Sequence, residues 1–525
     1  MIDLFAGPGG LGEGFSAFEP EDELRFKIAL SIERDDFAHA TLKLRSFFRQ
    51  FRNGKVPSAY YDRLREVDEP LHERLKSLFD SYPDQAEKAG REAWKAELGK
   101  TDREGVRDGI ASALDGAAAW VLIGGPPCQA YSLAGRSRNR GNPDYVPEDD
   151  ARQYLYVEYL QVIAEHRPAI FVMENVKGLL SASLKNEQVF SRIVKDLRDP
   201  LVALKREGRC VQTSGISLSQ QYKVFSLVKR GVFNGGDLRS FVVPMEQYGI
   251  PQARHRLILL GVRSDLLGSV IPETLRTRKP VSARQVLEGL PRLRSGLSKE
   301  DDSASAWLEI LQRAKEQAWF SEDHHQDDKG VHLRMISFLE HLASPRCDRG
   351  GEFLPFDSAS VEHEKEWFLD EHIGGVYNHS TRGHIVDDLY RYFYAACFSK
   401  VWNRSPVLSD FPEELLPDHR NVAQALEGGS FADRFRVQLS GRPSTTITSH
   451  IAKDGHYYIH YDPTQCRSMT VREAARLQTF PDNYFFCGPR TAQYAQVGNA
   501  VPPLIAREIA RIVWDLLRQS GALGR

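Results

Sequence analysis

Blocks of apolar residues alternate with polar turns along the first 45 residues, in the manner of strand, turn, helix and strand. Residues 2–5 form a short apolar run, and Phe15 and Phe18 recur at helical spacing after a glycine-rich turn. Residues 27–33 are predicted to form a second strand that ends in the acidic Glu33. This alternation favours a doubly wound α/β fold with a parallel sheet.

Residues 106–262 continue the alternation, and residues 47–105 interrupt it. Strand and helix patterns are predicted in the later part at 118–123, 152–166, 169–173, 222–228 and 256–261. The last two strands are expected to pair in an antiparallel or mixed arrangement. Residues 47–105 are rich in Arg, Lys, Glu and Leu, with helical periodicity over 60–82 and 85–98. We interpret them as a helical insertion of unassigned role in a sheet domain that spans residues 1–262.

The pattern becomes irregular after residue 262. Residues 263–441 are interpreted as a second, smaller domain, in which a helix is predicted at 306–319. Its stretch 276–299 holds seven Lys or Arg against one acidic residue, which fits either a surface loop or a phosphate-contacting rim. Residues 442–525 are predicted to complete this domain and return to the sheet, with a hairpin at 451–461, a capped helix at 470–477 and a final helix at 504–517.

The composition is that of an ordinary globular protein, with 41% hydrophobic and 27% charged residues, and it excludes a collagen-like, disordered or disulfide-scaffold chain. The longest apolar stretch, 117–125, is too short to cross a bilayer, so no membrane association is expected. Six scattered Cys without a C-x-x-C pair, and no basic stretch at the start, favour a reduced cytoplasmic protein. Because the net charge is -2, any nucleic acid must be held by local basic patches.

The turn GPGGLG at 7–12 fits the pattern G-x-G-x-x-G, and Glu33 follows Gly12 by 21 residues. This combination indicates an adenosine-bearing ligand, because glycines allow close approach and a carboxylate can accept both ribose hydroxyls. NAD, FAD and S-adenosylmethionine all fit, and a tight turn without ligand is the alternative. Asp3 in the first strand favours S-adenosylmethionine, because a carboxylate attracts a sulfonium and repels a pyrophosphate.

Cys128 follows a predicted strand and the run GGPP at 124–127. In an open α/β sheet the carboxyl ends of strands line the ligand crevice, so Cys128 is a candidate nucleophile, with a buried structural thiol as the alternative. The loop 131–145 contains Arg136, Arg138 and Arg140 and is expected to close on an anionic strand.

Two further polar groups stand at predicted strand ends. Glu174 and Asn175 end one strand, where they are either functional or a helix-capping surface pair. Gln252, Arg254 and Arg256 alternate, which predicts that all three side chains share one face of a strand. The two arginines would bind an anionic ligand or pair with acidic neighbours.

Six segments in order resemble the DNA (cytosine-5)-methyltransferases: FAGPGG at 5–10, PPCQ at 126–129, ENV at 174–176, QARHR at 252–256, REAARLQ at 472–478 and GNAVPP at 498–503. The likeness covers roughly residues 1–46, 106–262 and 442–520. It implies a bacterial-type enzyme with a Rossmann-like methyltransferase sheet and a target-recognition domain at 263–441.

The resemblance implies methyl transfer from S-adenosylmethionine to C5 of a cytosine flipped out of a specific double-stranded DNA sequence, with S-adenosylhomocysteine as product. Cys128 would add to C6 and Glu174 would hold a proton toward N3. Arg254 and Arg256 would stabilise charge at O2 and position both groups.

The resemblance also implies ligand contacts. The cofactor contacts are Phe5, Gly7 and Gly9 for the methionine part, Glu33 for the ribose, Asp108 for the adenine, and Asn499 and Val501 to close the pocket. The DNA contacts are Gln129, Arg136, Thr445 and Thr446. The implied context is a restriction-modification or phage-defence system, with a restriction endonuclease or defence proteins as partners, in the cytoplasm and on the nucleoid when bound to DNA.

Three other classes compete with this interpretation. A flavin- or NAD-dependent oxidoreductase would share the glycine turn and Glu33, but a disulfide-reducing version needs a second cysteine within 80 residues of Cys128, and there is none. A DNA-binding regulator on the same fold would have no use for Cys128, Glu174 and the two arginines. Adenine-modifying methyltransferases carry an aromatic residue in place of Cys128.

Overall fold

The computed structural model describes residues 1–21, 24–51, 55–117, 119–127, 155–184, 187–211, 221–268, 270–321, 329–418, 422–426 and 431–523. The strands in these ranges are β1 (Ile2–Leu4), β2 (Leu30–Glu33), β3 (Ala93–Lys95), β4 (Val121–Gly124), β5 (Ile170–Val176), β6 (Ser183–Leu184), β7 (Glu187–Gln188), β8 (Tyr222–Ser226), β9 (Val242–Pro244), β10 (Gln252–Ala253), β11 (His255–Arg263), β12 (Gly296–Leu297), β13 (Gly350–Pro355), β14 (Gly375–Ser380), β15 (Gly383–His384) and β16 (Ser444–Thr445).

The α-helices in the same ranges are α1 (Gly10–Ser16), α2 (Asp36–Arg49), α3 (Ser58–Arg65), α4 (Leu71–Ser81), α5 (Pro83–Glu92), α6 (Arg103–Leu114), α7 (Leu155–His166), α8 (Val189–Arg198), α9 (Pro200–Arg206), α10 (Ser264–Leu267), α11 (Ala283–Leu287), α12 (Ala304–Gln312), α13 (Lys329–Glu340), α14 (Lys365–Phe368), α15 (Val386–Trp402), α16 (Val422–Leu426), α17 (Val471–Leu477), α18 (Arg490–Asn499) and α19 (Pro503–Gln519). Within these ranges, we find no helix with both the length and the apolar character that a bilayer crossing requires.

One mixed sheet carries the first half of the chain, with strand order β3-β2-β1-β4-β5-β11-β8 and β9 beside β11. β1 to β5 run parallel, and β11 runs antiparallel to both β5 and β8. The predicted doubly wound α/β fold is confirmed, as is the antiparallel pairing of the later strands. All five parallel strands end at the same edge, called the carboxyl edge below, where such folds bind their ligands.

Hydrophobic clusters cover both faces of this sheet. Ile2 and Leu4 belong to one cluster with α7 and α8, and α1 and α19 lie in a second cluster on the other face. Helix α1 packs closely on α19 at Gly14, where any Cβ would clash with the carbonyl oxygen of Pro503. The C-terminal helix therefore supports the helix that follows the glycine turn.

The insertion is helical up to Glu92 and then becomes a strand. The predicted helix at 85–98 ends there, and β3 extends the sheet by pairing with β2, Ser31 opposite Ala93. The free edge of β2 accounts for the difference. It offers backbone partners to a short stretch whose local pattern alone favours a helix.

Residues 281–500, called the distal unit below, form two further hydrophobic clusters besides those on the two sheet faces. The capping box of Thr470 and Glu473 starts α17 as predicted, whereas the predicted hairpin at 451–461 does not form. Ile459 pairs instead with Val437 and Ser468, so the backbone groups that a hairpin would use are bonded elsewhere.

Two buried histidines in the distal unit predict acid sensitivity. Burial lowers the pKa of His379 and of His460 from 6.5 to about 4. The unfolded chain takes up these protons near pH 6.5 and the folded protein only near pH 4, so stability is lost as the pH falls through that window. The loss is about 3 kcal/mol per ring when complete. Urea unfolding between pH 7.5 and 4.5 measures it.

A His379→Gln variant is expected to show a weaker fall of the unfolding free energy with pH, because its side chain cannot titrate. His72→Gln, at an exposed position, is the matched control and should follow the parent protein. Equal pH dependence in the two variants would show that His379 does not contribute.

Candidate active site

A glycine-proline turn and a glutamate meet at the carboxyl edge. β4 and β5 run parallel with Gly124 opposite Met173, so Gly125, the first residue after β4, lies beside Glu174 of β5. A Cβ at Gly125 would lie 3.0 Å from Oε2 of Glu174, so a larger residue there would press on this carboxyl group. The side-chain amide of Asn175 donates to the carbonyl of Pro126 at 3.0 Å. This bond holds the turn against the end of β5.

Glu174 pairs with an arginine from the neighbouring strand. β11 places Ile258 opposite Glu174, and Arg256, two residues away, lies on the same face. Nε of Arg256 lies 3.0 Å from Oε1 of Glu174, and both side chains are largely buried. Burial raises the pKa of Glu174 despite the opposing charges of Arg256 and Arg254. The carboxyl therefore takes up a proton more readily than an exposed glutamate.

Arg254 points elsewhere, and the expectation that three alternating side chains share one face of a strand is not met. The strand breaks at Arg254, and β10 before it pairs with β16 rather than with the main sheet. The Arg254 guanidinium is 1% exposed and donates to the carbonyls of Ile447 at 2.8 Å and Gly498 at 3.2 Å. It joins the sheet to the distal unit.

Thr445 and Thr446 lie beside this break. The Thr446 hydroxyl donates to the carbonyl of Ala253 at 2.7 Å, and the Thr445 hydroxyl donates to the Gln438 side chain at 3.1 Å. The structure thus brings both threonines next to the chain segment that carries Arg254 and Arg256.

The glycine turn adopts a backbone that only a few residue types tolerate. Phe5, Gly7 and Gly9 have φ of 58°, 59° and 98°. Among the residues that the structure describes, no atom lies within 4 Å of the place where a Cβ of Gly7 would stand, so these residues leave open space above the turn. The Gly7 amide donates to Oε2 of Glu33 at 2.8 Å, and Oε1 accepts the amides of Arg34 and Asp35. The carboxylate of Glu33 is therefore fixed at the side of that space.

The C-terminal segment lies against the same turn. A Cβ at Gly10 would clash with the carbonyl oxygen of Val501, and Val501 is buried. Asn499 ends α18 with its side chain exposed, one residue after Gly498, whose carbonyl Arg254 binds. Glu33 and Val501 thus lie beside the turn, and Asn499 stands two residues before Val501.

Asp3 does not carry the charge that the sequence suggested. It is 1% exposed within β1 beneath α1, and burial raises its pKa to about 8. Burial therefore favours the neutral form of the Asp3 carboxyl, which weakens the argument from an ionised carboxylate.

Asp108 lies on α6 with a side chain that is 65% exposed, and it pairs with Arg107. The helix covers the sheet, so Asp108 does not join the groups gathered at the glycine turn. The acidic residue that follows β3 is Glu97, whose carboxylate lies 3.0 Å from Arg34, the neighbour of Glu33. Sequence reasoning missed Glu97 because β3 was predicted as helix. The signal that could have found Glu97 is an acidic residue directly after the short segment 93–96.

Three predicted site residues, Cys128, Gln129 and Arg136, lie outside the described residues. Within the described ranges, no group of three or more His, Cys, Asp or Glu side chains is arranged to hold a metal ion. In the basic stretch 276–299, Arg278 forms ion pairs inside the protein, with Glu364 at 3.0 Å and with Glu508 at 2.9 Å.

Comparisons with known proteins give consistent matches over most of the chain. The family model for C-5 cytosine-specific DNA methylases matches residues 91–200 and 237–514. Type II methyltransferase M.Bpa9945I of Bacillus paralicheniformis is 32% identical over 98% of this chain and 99% of its own length. DNA (cytosine-5-)-methyltransferase M.ApeKI of Aeropyrum pernix is 27% identical over 77% of this chain and 83% of its own. Type II methyltransferase M.AgeI of Thalassovita gelatinovora is 24% identical over 98% of both chains.

Arg254→Met is expected to lower the free energy of unfolding by about 2 to 5 kcal/mol, because it leaves two buried carbonyls without donors. Urea denaturation at neutral pH measures the change. Arg276→Met is the matched control. The Arg276 side chain is 64% exposed, and its ion pair with Glu273 is long, at 3.7 Å. Similar stability of the two variants would contradict the structural role of Arg254.

Proposed function

The chain belongs to the C-5 cytosine-specific DNA methylase family and is a DNA (cytosine-5-)-methyltransferase, and from this premise we propose how it acts. It methylates C5 of a cytosine flipped out of a specific double-stranded DNA sequence, through a covalent bond between Cys128 and C6. S-adenosylmethionine supplies the electrophilic methyl group when bound. The observation that carries the proposal is the buried Glu174–Arg256 pair beside the turn that leads to Cys128.

The names of the relatives support a role as the modification enzyme of a type II restriction-modification system. M.Bpa9945I and M.AgeI are both named type II methyltransferases, and each aligns over nearly the whole chain. The partners proposed on this basis are double-stranded DNA as substrate and a restriction endonuclease that cuts the unmodified site.

The proposed chemistry begins at Cys128, one residue after Pro127. Cytosine C5 is a weak nucleophile, and addition of the thiolate to C6 moves the ring electrons toward N3 and C5. Glu174 gives its proton to N3, and C5 can then take the methyl group that bound S-adenosylmethionine would supply. Loss of the C5 proton to a base expels the thiolate, and N3 returns its proton to Glu174, which restores the ring.

Glu174 can hold the required proton only if its carboxyl is easily protonated. Burial raises its pKa, whereas Arg256 and Arg254 oppose the rise. Burial outweighs the two arginines, because the Glu174 side chain is only 12% exposed. Arg256 then orients the carboxyl through one hydrogen bond, and its remaining donors can meet charge that develops at O2.

The cofactor site is proposed at the glycine turn. The open space above Gly7 fits the methionine part, with Phe5 and Gly9 shaping the backbone around it. The Glu33 carboxylate is placed to accept ribose hydroxyls, and Glu97, rather than Asp108, to accept the adenine amino group. Val501 and Asn499 close the pocket from the C-terminal side.

The DNA is proposed to lie across the carboxyl edge. The target base must leave the duplex to reach a pocket at the ends of β4 and β5. Gln129 and Arg136 are proposed to contact the DNA from the loop after Cys128. Thr445 and Thr446 are proposed to contact the backbone of the flipped nucleotide from the distal unit, which reads the base edges.

The first test is to express the protein in a methylation-free bacterial host and read its DNA by bisulfite sequencing. Wild type should leave 5-methylcytosine at one defined sequence, and Cys128→Ala should leave none. Purified wild type should also form a covalent adduct with DNA that carries 5-fluorocytosine, because fluorine blocks the final elimination.

Cys210→Ala is the matched control for this test, because Cys210 is a free and exposed cysteine. It should methylate and form the adduct like the wild type. Methylation by Cys128→Ala, or a failure of wild type to form the adduct, would exclude Cys128 as the nucleophile.

The second test concerns cofactor affinity, measured by calorimetry without DNA. Glu33→Gln should weaken S-adenosylmethionine binding about 10- to 100-fold, because it removes charged acceptors of ribose hydroxyls. Glu97→Gln should weaken it less, and Asp108→Asn should change it less than twofold. An Asp108→Asn effect as large as that of Glu33→Gln would return the adenine contact to Asp108.

A further inference from the structure

Residues 58–92, comprising α3, α4 and α5 and called the brace below, join two parts of the molecule that the sequence separates. One aromatic cluster contains side chains of α2, of the brace and of the distal unit: Leu44, Phe47, Tyr60, Tyr61, Leu64, Leu78, Ala89, Ile373, Tyr377, Phe485 and Cys487. The insertion is therefore packed between the sheet and the distal unit.

Helix α3 contacts the loop before β14 through directional bonds. The Tyr61 hydroxyl donates to Oδ2 of Asp370 at 2.8 Å, and the Tyr61 ring stacks on His372 with centroids 5.6 Å apart. Nε of Arg65 donates to the carbonyl of Ile373 at 2.9 Å, and another Arg65 nitrogen donates to the carbonyl of His372. These bonds fix both the distance and the orientation of the loop.

Helix α4 makes a second attachment to the β13–β14 hairpin. Arg74 is 2% exposed and forms an ion pair with Glu352 of β13. The same guanidinium donates to the carbonyls of Arg63 at 3.2 Å and Leu64 at 3.4 Å, so it also holds α4 against α3.

The other end of the brace is tied to the helix of the glycine turn. Arg49 of α2 lies 2.6 Å from Glu92 at the end of α5 and 3.2 Å from Glu13 of α1. Arg45 donates to the same Glu13 at 2.9 Å. Because Glu13 belongs to α1, the brace is anchored to the element that positions the proposed cofactor site.

A third connection closes the arrangement into a ring. Arg45 also donates to the side-chain oxygen of Asn483 at 3.0 Å, and the Asn483 amide donates to Oδ2 of Asp370 at 2.9 Å. Asp370 therefore accepts from the brace through Tyr61 and from the C-terminal part of the distal unit through Asn483. The Asp370 carboxylate is therefore connected to α1 in two ways: through Arg45 and Asn483, and through the brace and Arg49.

We propose that the brace is a positioning element that holds the distal unit in fixed register with the carboxyl edge, so that base reading and base entry refer to the same nucleotide. The inference rests on the proposed function. Successive base pairs are about 3.4 Å apart along the duplex. A shift of that size between the distal unit and the catalytic pocket would uncouple the sequence read from the cytosine methylated.

The variant Tyr61→Phe/Arg65→Met removes the bonds of α3 to the loop while it keeps both side-chain volumes close to the original. Arg63→Met is the matched control, since Arg63 lies on the same helix and pairs with Glu66 and Glu69 on the exposed surface. The substrate is duplex DNA with randomised bases around a central cytosine, read by bisulfite sequencing after limited reaction.

The double variant is expected to raise methylation at single-base variants of the preferred sequence at least fivefold relative to that sequence, and to raise the KM for DNA. S-adenosylmethionine affinity should change less than twofold. A purely stabilising role would lower the melting temperature and leave the discrimination ratio unchanged, and that result would overturn the proposal.

Hydrogen exchange of residues 369–380 provides a readout that needs no activity. Exchange should be at least fivefold faster in the double variant than in Arg63→Met, and equal rates would also overturn the proposal. If wild type methylates no cytosine, the proposed function fails while this measurement still decides on the brace. If the double variant does not fold, Tyr61→Phe alone, which loses one hydroxyl, is measured in the same way.

Discussion

The buried Arg254 guanidinium is the interaction on which the arrangement of the site depends. An arginine keeps its charge in a protein, so a fully buried one must find acceptors. Arg254 finds them in the carbonyls of Ile447 and Gly498, which belong to two separate segments of the distal unit. One side chain thus joins the strand beside Glu174 to the segment that leads to Val501. The proposed base pocket and the proposed cofactor pocket are joined through this side chain.

Glutamine side chains extend the same connection. Gln252 accepts the amide of Ile447 at 2.8 Å and donates to the Gln478 side chain at 2.7 Å. Gln478 donates in turn to the carbonyls of Val497 and Ala500. Both glutamines are completely buried, so each bond lies where water cannot replace it. Arg254 is therefore a positioning residue, while Arg256, bonded to Glu174, belongs to the proposed catalytic group.

Elements with strong local signals were predicted correctly. The glycine turn, the parallel strands and the capping box at Thr470 depend on residues close together in the sequence. The strand β3 was predicted as part of a helix, and the hairpin predicted at 451–461 does not form. In both cases backbone partners far along the chain decide the structure. The role of the basic stretch 276–299 also depends on distant residues. Arg278, which could have contacted phosphate, pairs with Glu364 and Glu508, both far along the chain.

The sequence by itself determined the family, the fold class and the order of the functional segments, because these are carried by residue types at fixed local spacing. It brought Glu174, Arg256, Glu33 and Val501 forward as candidates, and the folded chain gathers them at the carboxyl edge. Only the tertiary structure separated Arg254 from Arg256, brought Glu97 rather than Asp108 to the neighbour of Glu33, and raised the pKa of Asp3 through burial. The physical reason is that burial, hydrogen-bond partners and pKa depend on neighbours hundreds of residues away, and local spacing does not record them.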